Sequence, residues 1–173
     1  MSKRGSLTAE EYKILRIACG LTQEEARKLH GLKEIRTIQR WEDGSSWISK
    51  IAEEKILWAN EVIQRSVDNA IQIYKDALMN HCEKPETVVL IQYSNDDFIV
   101  FVPELAKLGF PNNVHRAMIL RLYLAFREYG QKVSIVEMNV DDYIEFLESR
   151  NLEDTQDARA AWAGFYFDKI ILN

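Results

Sequence analysis

From Ile48 to Met79 the chain contains neither glycine nor proline, and apolar or small residues recur every three or four positions: Ile48, Ala52, Ile56, Ala59, Ile63, Val67, Ala70, Tyr74 and Ala77. Charged and amide side chains fill the intervals. The pattern is that of an amphipathic helix, either one long helix or two joined by a bend near Trp58–Asn60. An apolar stripe of that length must be covered. It either faces the core of the chain on both sides or forms the seam of a dimer, and the rest of the fold has to be arranged around it.

The segment ahead of this helix is punctuated by Gly20, Gly31 and Gly44. Thr8 with Glu11 three residues later makes a capping box, and Leu7 with Tyr12 can make the hydrophobic staple. The first helix should run through Ile14, Leu15 and Ala18 and stop at Gly20. Thr22 and Glu25 repeat the box and open a second helix to about Leu29. A third is expected from about Glu34 to Asp43, ended by Gly44.

Composition limits what these pieces can do. With 173 residues, 47% of them apolar, the chain can bury a core without disulfides or metals. Its two cysteines, Cys19 and Cys82, form no framework and no metal pair. The net charge is −5, but residues 1–50 carry ten Lys/Arg against seven Asp/Glu, and residues 51–173 carry 12 against 20. Such a chain cannot wrap a polyanion, yet it can present a confined cationic patch to one. Met1–Gly5 has no apolar stretch behind it, and the apolar runs Val88–Ile91 and Ile99–Val102 fall far short of the roughly 20 residues of a membrane span. A cytoplasmic protein with no membrane partner is expected.

On the third helix, 100° per residue puts Ile38 and Trp41 on one face, to pack on the first two helices. Arg36 and Arg40, four apart, fall roughly opposite, with Lys33 and Gln39 beside them. Arginine can bond guanine O6 and N7 as a fork, and glutamine can do the same with adenine N6 and N7. Gln23, in the first turn of the second helix, would offer a free amide where helix N-termini commonly meet a DNA phosphate.

Gly20-Leu21-Thr22-Gln23-Glu24-Glu25, followed by Thr37-Ile38-Gln39-Arg40-Trp41-Glu42-Asp43-Gly44, resembles the helix-turn-helix of the lambda-repressor-like, Cro-type regulators. Ala26-Arg27 stand where that family has Leu-Ala, and the stretch from Thr22 to Trp41 is one residue longer than usual, the extra residue falling around Gly31–Lys33. The resemblance implies base reading by Ile35, Arg36 and Arg40, with Gln39 adjacent and Lys33 supplementing, and phosphate contact by Gln23. Thr22, Lys28, Ser45, Ser46 and Lys50 are further phosphate candidates. Glu42 and Asp43 are expected to be structural.

Beyond Pro85, Thr87–Tyr93 reads as a buried strand, with a short helix on each side of Pro103. Asn112 and Asn113 are expected to cap a helix over Val114–Tyr129, ended by Gly130. Lys132–Met138 reads as a second strand, Val140–Ser149 as a helix, and Ala158–Phe167 as a last helix rich in aromatics. This order is similar to that of the anti-CRISPR-associated regulators and related prophage repressors, in which a strand–helix–helix–strand unit builds the homodimer. The expected fold is α+β and mostly α. Residues 1–50 would be a helix-turn-helix DNA-binding domain, 51–82 a connecting helix, and 83–173 a small α/β dimerisation domain with a C-terminal extension.

No catalytic constellation is visible. His30, His81 and His115 have no ligand spacing, and the adjacent His81 and Cys82 point to different sides of a helix. No glycine-rich phosphate loop exists. Asp96-Asp97 and Asp141-Asp142 fall at expected helix starts and read as caps. No enzyme activity and no cofactor are therefore expected. The expected function is a sequence-specific transcriptional regulator, acting as a repressor and possessing a double-stranded DNA operator and a second copy as partners. The alternative is a protein-interaction module using Trp162, Phe165 and Tyr166, with the first fifty residues as scaffold.

Overall fold

A computed structural model describes residues 3–80 and 84–171; His81 and Cys82 lie outside the described residues. The protein is mostly helical, with one small parallel sheet among the described residues. In chain order the elements are α1 (Ala9–Ala18), α2 (Gln23–His30), α3 (Arg36–Glu42), α4 (Lys50–Met79), β1 (Thr87–Gln92), α5 (Asn95–Phe101), α6 (Pro103–Lys107), α7 (Asn112–Glu128), β2 (Lys132–Glu137), α8 (Val140–Arg150) and α9 (Gln156–Ile171). No described helix is long and apolar enough to cross a membrane.

Local chemistry accounts for most boundaries. In both capping boxes the threonine Oγ1 accepts from the glutamate N–H, at 3.2 Å for Thr8–Glu11 and 3.1 Å for Thr22–Glu25, and each glutamate accepts in return from the threonine N–H at 2.8 Å. Gly31 ends α2 in the left-handed conformation, φ 69°. α3 starts later than the sequence suggests, because Ile35 at its N-cap has no side-chain acceptor to offer. Lys33 lies in the loop ahead of the helix. α4 is one continuous helix through Trp58–Asn60.

Two expectations about caps are corrected. Asn112 and Asn113 do not cap α7 from outside but are its first residues. Asn112 is buried, and Asn113 donates to both Glu25 carboxylate oxygens at 2.9 and 3.2 Å. The aspartate pairs occupy first turns instead of caps: Ser94 and Asn139 are the capping side chains, accepting from Asp97 N at 3.2 Å and Asp142 N at 3.1 Å. The carboxylates still lie where the helix N-terminus favours negative charge.

The chain forms two compact units whose limits differ from the ranges read above: residues 1–70 with 104–118, and residues 71–103 with 119–173. The first unit is larger than fifty residues because the stripe on α4 turns inward. Ala52, Ile56, Ala59 and Ile63 join Tyr12, Leu21, Ala26, Ile38 and Trp41 in one core, together with Phe110 and Val114 from far along the chain. Ile48 to Val67 therefore serve the chain's own interior and are not a free seam. Trp58 stacks on Phe110 with ring centroids 4.8 Å apart.

In the second unit β1 pairs in parallel with β2, Thr87 opposite Lys132 through Gln92 opposite Glu137. A parallel pair needs a long crossover, which α5 to α7 supply. Beside it runs a chain of aromatic contacts, Tyr93–Phe101–Tyr143–Trp162–Tyr166, with centroids 4.9–6.0 Å apart. Arg159 locks its edge, donating to both Asp154 oxygens at 2.7 and 2.8 Å and to the Phe101 carbonyl at 2.9 Å. Trp162 donates to Asp142 at 2.9 Å, and Lys169 pairs with the same carboxylate at 2.7 Å.

His30 and His115 are both held neutral. Burial, reinforced by the Lys55 charge for His30 and by Arg116 for His115, lowers each to about 4. The unfolded imidazole titrates near 6.5, so below that pH the unfolded chain binds protons the folded one refuses, and stability falls until pH reaches about 4. Each histidine should cost on the order of 2–3 kcal/mol across that window. Urea titrations at pH 7, 5.5 and 4 should show this fall, and a His30→Phe variant should show a visibly shallower one. Identical profiles for the two proteins would contradict the assignment.

Candidate nucleic-acid interface

α3 is held by two residues on its inner face. Ile38 is 0% exposed and Trp41 4%. The Trp41 indole meets Tyr12 edge-on at 5.4 Å and His30 at 5.6 Å, while the Tyr12 hydroxyl lies 2.8 Å from His30 Nε2. This three-ring cluster leaves the opposite face outward. Arg36, Gln39 and Arg40 are exposed there, and Ile35 is half-buried at the helix start. Among the described residues neither guanidinium is hydrogen-bonded or ion-paired. The Asp43 carboxyl beside Arg40 is held below its usual range, chiefly by the Ser45 hydroxyl and backbone N–H and to a smaller degree by the Arg40 charge.

Behind this face lies a charge cluster that the sequence reading did not anticipate. Arg16 occupies a core-facing position of α1 between Tyr12 and Cys19, all three buried. Its Nε donates to Glu42 at 2.5 Å and its Nη2 at 3.3 Å, and Nη1 donates to the Leu21 carbonyl. Gln23 Nε2 donates to the same Glu42 carboxylate at 2.8 Å. Gln23 does not present a free amide: the carboxylate, 6% exposed, takes its donor to complete its own bonding. A charge inside an apolar stripe, at Arg16, was the sequence signal that a buried partner had to exist. Glu42 is structural, in agreement with its reading.

The remaining candidates divide in the same way. Lys28 and Lys50 are exposed, the latter 3.9 Å from Glu54. Thr22 is exposed, but its hydroxyl serves the capping box and also donates to Glu25 at 2.7 Å. Ser45 is exposed with its hydroxyl on Asp43 at 2.5 Å, and Ser46 is half-buried, its N–H donating to the Arg40 carbonyl at 3.0 Å. Lys33 is exposed in the loop before α3.

The residues ahead of α1 complete the surface. Arg4 makes an isolated antiparallel bridge with Ser49. Gly5 N donates to Ile48 O and Lys50 N to Lys3 O, each at 2.8 Å. Glu53 accepts from Leu7 N at 2.9 Å, from Ser6 N and from the Ser6 hydroxyl at 3.0 Å, and these bonds, the Leu7 N–H foremost, hold its carboxyl below the usual range. Arg4 thereby lines a pocket of about 300 Å³ with Thr8, Ser45, Ser46 and Trp47, the indole 46% exposed. The sequence signal for this arm was the Lys3-Arg4 pair immediately before the first cap.

Chemically, the outer face of α3 offers two fork-shaped donors and an amide, all exposed. The aromatic set at the other end of the chain is only partly exposed. Trp162 is 0% exposed and Tyr166 half-buried upon it, leaving Phe165 as the exposed member, because the indole and phenol rings are needed to cover the second unit's interior. No family model matches this chain, and no curated protein matches it either.

Proposed function

We propose that the protein is a sequence-specific double-stranded DNA-binding regulator whose first three helices work as a helix-turn-helix of the lambda-repressor-like kind. The observation that carries this reading is the pair Arg36 and Arg40, exposed on a helix whose opposite face is fully buried. Arg36, Arg40 and Gln39 read base edges, with Ile35 and Lys33 at the margin; Lys28, Lys50 and Ser46 approach phosphates. Binding is as a homodimer on an inverted repeat, and it represses by occluding polymerase. Leu120 and Leu124, one turn apart on α7 and about half exposed, suit a self-complementary contact.

Selecting bound fragments from the genome of origin supplies the operator. On it, Arg40→Ala should lose about 1–3 kcal/mol and relax preference at one base position, whereas Lys50→Ala should weaken all sequences alike and flatten the salt dependence by about one phosphate. Equal affinity of the Arg40→Ala variant and the parent protein would reject the base-reading role. Failure to enrich any fragment would reject the function.

A further inference from the structure

The second unit contains a cleft of about 670 Å³ between one face of the β1–β2 pair and the second half of α9. That size suits a small organic molecule. Its wall on the sheet side carries the Thr87 and Ser134 hydroxyls, from adjacent strands and on the same face, with Val89 beside them. Among the described residues neither hydroxyl is bonded to a protein group, so both are available to an occupant. Phe167 of α9 gives the opposite wall an aromatic surface.

Gly164 is the second observation. It lies in the interior of α9, where glycine costs about 1 kcal/mol relative to alanine. Its φ is ordinary, and a Cβ built there would meet nothing within 4 Å. Neither backbone strain nor close packing therefore requires a glycine at this position. What the missing side chain does is leave the cleft open, since Gly164 forms part of its lining.

Charge selects among occupants. Glu86 and Asp168 stand at the rim against one cation, Lys132, which pairs with Glu86 at 3.0 Å. The Lys132 and Glu86 side chains are 71% and 86% exposed, so this pair is weak and easily opened. The rim is left with a surplus carboxylate above two hydroxyls and an aromatic ring, the last able to attract a cation over its face.

We propose that this cleft binds a small organic cation: a primary amine with a short aromatic or aliphatic body, its ammonium at the Asp168 and Glu86 rim and its body against Phe167 and Val89. The proposal is independent of DNA binding.

The test is titration of the full-length protein with tyramine and cadaverine, followed through backbone amide resonances, with 4-hydroxyphenylacetate as the anionic counterpart. Both amines should produce saturable shifts at Thr87, Ser134 and Gly164 at millimolar concentration or below. Asp168→Asn should weaken binding about fivefold or more, and Gly164→Leu, which fills the open space, should abolish it while the melting temperature holds or rises. Gly164→Ala, a smaller plug, should give intermediate binding in a protein at least as stable as the parent. Absence of saturable shifts, equal binding of the carboxylate, or undiminished binding by Gly164→Leu would each overturn the assignment.

Discussion

Replacing Gly20 by alanine is expected to destabilise the protein by about 3 kcal/mol or more, lowering the melting temperature by roughly 10 °C. Two effects add. Gly20 has φ +74°, a conformation L side chains rarely adopt, and a Cβ there would stand 2.3 Å from the Asn113 carbonyl oxygen and 3.1 Å from Ala117 Cβ. The obstacle is backbone at the start of α7, so no side chain can turn aside to relieve it. Gly31→Ala isolates the first effect: φ is +69° but nothing lies within 4 Å, and a loss of only about 1 kcal/mol is expected. Thermal or urea unfolding of the two variants side by side decides the matter. Similar losses at both positions would mean that α7 does not close against the α1–α2 turn.

Glu42→Ala should be comparably damaging, about 3–5 kcal/mol, because it strands the Arg16 guanidinium, 10% exposed, with only a carbonyl for company. It also releases the Gln23 amide, which loses its Glu42 acceptor. The paired replacement Arg16→Met with Glu42→Leu removes both charges together and should recover well over half of that loss, since packed apolar side chains commonly substitute for a buried ion pair. Urea unfolding at fixed pH and salt measures both. A double variant no more stable than Glu42→Ala would show that shape, and not charge, governs the site.

What could be read from the residues alone was whatever depends on neighbours in sequence. Thr8 with Glu11 and Thr22 with Glu25 specify helix starts within one turn, and Ile38 with Trp41 specifies which face of α3 turns inward, leaving Arg36 and Arg40 outside. The strands at Thr87 and Lys132 and the break at Pro103 were legible on the same terms. Long-range partners were not. Nothing local announces that Asn113 bonds Glu25, that Phe110 and Val114 enter the first core, or that Glu42 captures Gln23 and Arg16. The same limit hid the burial of Trp162: an aromatic-rich helix looks alike whether its rings face a partner or the interior, and only the Asp142 acceptor and its stacked neighbours settle which.

The first core draws two of its buried side chains, Phe110 and Val114, from residues well beyond β1. During synthesis, then, the basic amino-terminal bundle leaves the ribosome incomplete, with the flank of Trp58 uncovered until Phe110 has followed it out. A fragment cut at the end of the bundle would carry that bare flank permanently, so the bundle's solubility and its surface chemistry are inherited from sequence it does not contain.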